Sequence, residues 1–222
     1  SVENIAIKPK SINHIEAGSL PLVGVSAIQA IEQHINLQTG QKILIHGGAG
    51  GIGSIAIQLA KHLGAYVATT ASSEDMEFVK SLGADEVIDY EKEKFEEKLS
   101  DFDAVYDTVG GDTLDRSFKV LKRGGVLISM LGEPSKELAE QYQVKVIGQN
   151  TQTNSKNLAR CRSAPPSRSR APMPSWEATR EMAISCAPRR STTRAASSGA
   201  NSNLSSTMTA QRRPPRSSFT KS

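Results

Sequence analysis

The sequence predicts an α/β protein built on a doubly wound, six-stranded parallel sheet. Three observations predict it. Six short apolar runs alternate with segments of helical spacing between residues 42 and 147. The runs are nearly continuous in apolar residues, as in strands covered on both faces. A glycine-rich turn joins the first run to the first helix of the unit. About 110 residues for six strands suits an open sheet and is too short for an eight-stranded barrel of about 250 residues.

The first strand is Lys42-Ile-Leu-Ile-His46, after the turn signal Thr39-Gly40. From Gly51, apolar residues recur at Ile52, Ile55, Ala56, Leu59, Ala60 and Leu63, which is helical spacing stopped by Gly64. Tyr66–Thr69 is the second strand, and Glu74–Leu82 a helix ended by Gly83. Glu86–Asp89 is the third strand, followed by a charged helix over Lys92–Leu99. Ala104–Asp107, Gly125–Met130 and Val144–Ile147 complete the strands, with helices over Asp112–Leu121 and Pro134–Gln141 between them.

Composition breaks sharply near residue 158. Residues 1–158 carry 13 Lys and two Arg against 21 acids, a net charge of −6. Residues 159–222 carry 11 Arg and one Lys against two acids, a net charge of +10. The basic balance of the chain therefore belongs to its end alone. That end is rich in Ser, Pro and Thr, shows no apolar period and is expected to be disordered. A reading frame shifted from about residue 159 would give the same abrupt change, and translating the underlying DNA in its other frames tests it. A genuine basic tail would attract nucleic acid weakly through charge, with only Trp176 and Phe219 as aromatics. Both cysteines, Cys161 and Cys186, lie in this region, so no disulfide framework holds the folded part. No charged-then-apolar leader opens the chain and no apolar run reaches the length of a membrane span, which predicts a cytoplasmic protein without membrane contact.

Gly48-x-Gly50-x-x-Gly53 follows a strand and opens a helix, the context of a dinucleotide-binding Rossmann turn. The first glycine permits the tight turn, the second lets backbone approach a pyrophosphate, and the third allows close helix–sheet packing. Free N–H groups at the helix start then hold the phosphates. The end of the second strand, Ala68-Thr-Thr-Ala-Ser-Ser73, has no acid for a ribose 2′-hydroxyl. Its small hydroxyls leave room for a 2′-phosphate, which favours NADP. Glu74 and Asp75 follow with no adjacent Arg or Lys, which keeps NAD as the alternative. Ser72 or Ser73 also suits an N-cap. The four histidines, His14, His34, His46 and His62, show no metal-ligand spacing and read as structural.

Together these residues resemble the medium-chain dehydrogenase/reductase superfamily, in its zinc-independent quinone oxidoreductase branch. The matching stretches are Ala17-Gly-Ser-Leu-Pro-Leu-Val-Gly-Val-Ser-Ala-Ile-Gln-Ala30, Gly40-Gln-Lys-Ile-Leu-Ile-His-Gly-Gly-Ala-Gly-Gly-Ile-Gly53, Leu82-Gly-Ala-Asp-Glu-Val-Ile-Asp-Tyr90, Asp107-Thr-Val-Gly-Gly111 and Gly124-Gly-Val-Leu-Ile-Ser-Met-Leu-Gly132. The resemblance implies that Gly50, Gly51, Ile52 and Gly53 hold the pyrophosphate. It implies that Ser72, Ser73 and Tyr90 meet the adenosine 2′-phosphate. The Lys that often accompanies them is absent from Glu74-Asp75-Met76. Val109 and Gly110 would pack under the cofactor, and Leu131 and Gly132 would lie beside the nicotinamide. Ser26 takes the place of a usual threonine there. No catalytic side chain and no metal are assigned.

The implied activity is NADPH-dependent reduction of a quinone or of a carbon–carbon double bond conjugated to a carbonyl. In such families the cofactor carries the chemistry and the protein orients it. The resemblance also implies three segments. Residues 1–20 are the remnant of a β-rich substrate domain, residues 21–152 the cofactor domain, and residues 153–222 the basic tail. The sixth strand is expected to pair across a homodimer. The alternative is a dinucleotide-binding fragment without turnover. Tyr90-x-x-x-Lys94 matches a short-chain dehydrogenase pair by letter, but it sits on a charged segment after the third strand, out of reach of a nicotinamide. The acid that a methyltransferase needs at the end of the second strand is absent.

Overall fold

The computed structural model describes residues 6–8 and 13–163. The core is a six-stranded sheet in the order β3-β2-β1-β4-β5-β6. Its strands are β1 Lys42–Ile45, β2 Tyr66–Ala71, β3 Glu86–Asp89, β4 Phe102–Asp107, β5 Leu121–Ser129 and β6 Lys145–Gly148. Every neighbouring pair is parallel. The order reverses between β1 and β4. Ligands of open α/β sheets bind at the carboxyl ends of strands beside such a switch point.

The helices are α1 His14–Ile28, α2 Gly51–His62, α3 Met76–Ser81, α4 Phe95–Lys98, α5 Asp112–Arg116, α6 Lys136–Tyr142 and α7 Ser155–Ser163. Strand residues point alternately to opposite faces, and the core follows that period. Ile43, Ile45, Val67, Tyr106 and Ile128 bury one face with α1 and α2. Leu44, Ala68, Val105, Phe118 and Leu127 bury the other, with α4, α5 and α6 behind them. Among the described residues, no helix is long and apolar enough to cross a membrane.

Three helices are shorter than their spacing predicts. The helix expected over Glu74–Leu82 is a 3₁₀ turn at Ser73–Asp75 followed by α3, the charged helix is one turn at α4, and α5 passes into a 3₁₀ turn at Ser117–Val120. In each the apolar face is too short to pin a regular helix, so local turns satisfy the backbone. β5 starts earlier than expected, at Leu121, with a register irregularity against β4 between Phe102 and Ala104.

The first helix crosses the boundary expected at residue 20. α1 continues into a π-helical stretch, Gln29–Ile35, closed by Asn36 in the left-handed conformation. Val25, Ala27, Ala30 and Ile31 on it are fully buried.

The segment expected as tail from residue 153 also begins in ordered structure. Asn154 Oδ1 accepts the Asn157 N–H at 2.9 Å and caps α7. Asn157 Nδ2 donates to Gln152 O, Gln33 Nε2 donates to Asn157 Oδ1, and the Gln152 N–H donates to Gln29 Oε1. These bonds tie α7 to the first helix, which an apolar-pattern reading does not detect. The rest of the expected tail lies outside the described residues.

Candidate functional site

The glycine loop lies between the carboxyl end of β1 and the start of α2. The Gly48 N–H donates to Thr70 O and the Gly50 N–H to Gly47 O, which folds the loop back on itself. Gly47 has φ +72, a conformation that favours glycine. At Gly53 a Cβ would stand 2.2 Å from Gly47 O and 2.9 Å from Gly48 Cα. Only a hydrogen fits there, so α2 starts hard against the loop. The first intrahelical bond runs from the Ser54 N–H to Gly50 O. The N–H groups of Gly51, Ile52 and Gly53 precede it and form the positive end of a 12-residue helix.

This loop borders a cleft of about 520 Å³. Gly47, Ala49 and Gly50 form one wall, Ser72, Asp75 and Tyr90 another, and Val109, Thr113 and Arg116 a third. His46, Ile88 and Phe95 also line it. The cleft thus opens at the carboxyl ends of β1, β2, β3 and β4.

His46 wires the loop to α5. The Ser117 hydroxyl donates to Thr113 O, so it accepts from His46 Nε2 at 3.0 Å. The Gly47 N–H donates to Thr70 Oγ1, whose hydroxyl can then donate to His46 Nδ1 at 3.2 Å. This pattern selects the neutral imidazole with its proton on Nε2. The ring meets Phe95 edge-on at 4.5 Å, and the Arg116 guanidinium lies 4.8 Å from the other partner of that contact, the Phe95 ring. Arg116 also holds Glu96 through Nε and Nη2, at 2.7 and 2.6 Å.

Burial pushes the His46 pKa from 6.5 down to about 3; the Arg116 charge adds to this and Glu96 opposes it. The unfolded chain therefore takes up this proton first. The stabilisation is complete above pH 6.5 and is lost as the pH falls from there toward 3. Between about pH 7 and pH 5 this one group should remove about 2 kcal/mol of stability. Urea denaturation at both values will show a smaller loss for His46→Gln than for the unsubstituted chain. Equal losses would assign the titration elsewhere.

Asp107, at the end of β4, is fully buried. Its carboxylate accepts the N–H groups of Val109 and Gly110 at 3.0–3.1 Å and the Ser129 hydroxyl at 3.3 Å. It holds the turn that carries Val109, half exposed, to the cleft edge. Ser129 Oγ in turn accepts the Leu131 N–H, and Leu131 is 61% exposed. A Cβ on Gly110 would meet Leu131 O at 2.9 Å, so the two turns are packed together.

Comparison with known proteins agrees with this geometry. Residues 51–160 match the model of the zinc-binding dehydrogenase family. The 2-methylene-furan-3-one reductase of Solanum lycopersicum is 45% identical over 130 residues, which is 58% of this chain and 33% of that protein. The chloroplastic NADPH-dependent alkenal/one oxidoreductase of Arabidopsis thaliana is 42% identical, over the same shares. The structure of Escherichia coli quinone oxidoreductase complexed with NADPH superposes with a TM-score of 0.64 at 28% identity, covering 70% of this chain and 53% of that one. Over the matched segment, the chain is similar in sequence and fold to these oxidoreductases. It spans about a third of the length of the curated relatives it matches.

In the structure, the expected site residues fall into three groups. Gly48, Gly50, Gly51, Ile52 and Gly53 form the loop and helix start. Ser72 and Tyr90 line the cleft, and Tyr90 is 60% exposed. Ser73 stands behind them, bonded to Asp89. Val109 and Gly110 share one turn, with Leu131 and Gly132 on the next. Ser26 is apart from these: it is fully buried on α1, where its hydroxyl donates to Leu22 O and meets Thr151 Oγ1 at 2.8 Å.

Four residues escaped the sequence reading. Thr70 and Asp107 hold the loops, and Arg116 walls the cleft. Lys92 supplies a cation near Ser73, its Nζ donating to Ser73 Oγ at 2.7 Å. Asp107 could have been found, since an Asp before Thr-Val-Gly-Gly signals a turn in which the side chain caps the backbone. Among the described residues, no group of three or more His, Cys, Asp or Glu side chains is placed to hold a metal ion.

Proposed function

We propose that the chain forms the dinucleotide-holding part of an NADPH-dependent quinone or enone reductase. The observation that carries this reading is the contact between Gly53 and Gly47, which leaves no room for a Cβ and sets the start of α2 against the cleft. The N–H groups of Gly51, Ile52 and Gly53, which precede the first intrahelical bond, suit a pyrophosphate. Val109 at the cleft edge and Leu131 on the neighbouring turn offer exposed apolar surface, which suits the uncharged dihydronicotinamide of the reduced cofactor. Bound there, such a dinucleotide supplies the hydride for an electron-poor double bond or a quinone. The protein's own part is to fix the cofactor's position, through a glycine loop braced by Thr70 and His46 and a Val109–Gly110 turn braced by Asp107.

NADPH is the inferred form because one relative is named NADPH-dependent and a similar structure holds NADPH. The names of the relatives support the quinone and enone reductase branch, which the reading takes as independent of zinc. β6 is an edge strand with Val146 and Ile147 half-buried, which supports pairing across a homodimer. The proposed location is the cytoplasm.

Partial coverage of the relatives favours a second reading, a module that binds without turnover. Titration calorimetry with NADPH, followed by oxidation of NADPH with an enone or a quinone, separates the two. Binding with turnover supports the reductase. Binding without turnover supports the module. No binding rejects both.

A further inference from the structure

The two serines expected to meet a 2′-phosphate both point their hydroxyl protons at carboxylates. Ser72 Oγ donates to Asp75 Oδ2 at 2.8 Å, and Ser73 Oγ donates to Asp89 Oδ2 at 2.5 Å. Asp75 closes the 3₁₀ turn directly after β2 and lines the cleft beside Ser72 and Tyr90. That is where the adenosine ribose of a dinucleotide held by the glycine loop would lie. An ionised carboxylate accepts hydrogen bonds and donates none. A ribose 2′-hydroxyl can donate to it. A 2′-phosphate brings a charge of about −1.5 to −2 and acceptor oxygens, so the same carboxylate repels it.

Lys92 acts in the opposite sense. Its Nζ lies 2.7 Å from Ser73 Oγ and 3.1 Å from Asp89 Oδ2. The Asp89 carboxyl is held below the ordinary carboxylate range, mainly by the Ser73 hydroxyl with Lys92 adding to it, while burial opposes them. Asp89 is therefore an anion that already matches part of the Lys92 charge. The cation here is shared between Ser73 and Asp89, whereas the cleft acid Asp75 accepts from Ser72.

Resting on the dinucleotide reading above, we propose that Asp75 sets cofactor selectivity, admitting NADH through its ribose hydroxyls and removing the strong NADPH preference of an acid-free strand end. The chain then takes both dinucleotides. Asp75 holds the ribose hydroxyls of one, and Lys92 draws the 2′-phosphate of the other.

Titration calorimetry of the full chain with NADH and NADPH tests this, with ADP and 2′,5′-ADP as probes that lack the nicotinamide. The unsubstituted chain should bind NADH and NADPH within about tenfold of each other. Asp75→Asn, and independently Asp75→Ser, should move the affinity ratio about tenfold toward NADPH, mainly by weakening NADH. Lys92→Met should move it the other way, and the two ADP probes should repeat both shifts. If both Asp75 variants leave the ratio within about twofold, or the unsubstituted chain prefers NADPH by more than about a hundredfold, the selectivity proposal is overturned while the dinucleotide reading stands. If no probe binds, the dinucleotide reading falls and the selectivity proposal falls with it.

Discussion

Gly53→Ala will remove high-affinity dinucleotide binding. The added Cβ would meet Gly47 O at 2.2 Å, Gly47 C at 2.8 Å and Gly48 Cα at 2.9 Å. All three are backbone atoms of the loop, so no side chain can swing aside. Either the loop leaves the helix or the helix leaves the sheet. Both displace the N–H groups of Gly51 and Ile52, and a misplacement of about 1 Å costs about 100-fold in function. The strain should also cost about 1–3 kcal/mol of stability. Titration calorimetry with NADPH and a thermal melt followed by circular dichroism measure both. Gly50→Ala is the control: its Cβ would meet Gly47 O at 3.2 Å, and its φ of −73 suits any residue. As a control for folding alone, it should melt within about 2 °C of the unsubstituted chain. Equal affinities for Gly53→Ala and the unsubstituted chain would mean that the loop holds no ligand.

Asp107→Ala should give the largest loss of stability among single polar substitutions at the cleft. Its fully buried carboxylate accepts from Val109, Gly110 and Ser129. Alanine strands these donors where water is excluded. Each buried donor left unpaired costs about 1–3 kcal/mol, so a total of roughly 3–5 kcal/mol is expected. In a chain of 222 residues that lowers the melting temperature by about 10 °C, at 2–4 °C per kcal/mol. The Val109–Gly110 turn should loosen as well, weakening NADPH binding beyond the stability effect. A melting temperature within about 2 °C of the unsubstituted chain would show that water reaches the turn and replaces the carboxylate.

The sheet was legible because its strands are buried on both faces and carry an unbroken apolar signal. Ile43, Leu44 and Ile45 on β1, or Val105 and Tyr106 on β4, leave no other reading. The glycine loop was legible because its constraint is local: Gly47 and Gly53 collide across a few residues of chain. α1 was not legible. Pro21 lies inside it, Gly18 and Gly24 interrupt it, and residues 24–31 are all buried, so no polar face marks a helical period there. The part of the site that escaped depends on neighbours across strands. Lys92 reaches Ser73 only because β3 pairs with β2, and His46 reaches Ser117 only because β4 packs α5 beside β1. Such pairs have no spacing in the sequence to detect.

The bonds between the first helix and the segment after β6 have a topological consequence. Ser26 meets Thr151, Gln149 Nε2 donates to Ser26 O, and Gln29 pairs with Gln152 through their amide and backbone groups. The chain therefore enters the sheet unit and leaves it at one corner, with both leads clamped together. Units with adjacent leads tolerate insertion and permutation. This one could be spliced into a longer polypeptide, or circularly permuted there, without opening its sheet or disturbing the glycine loop.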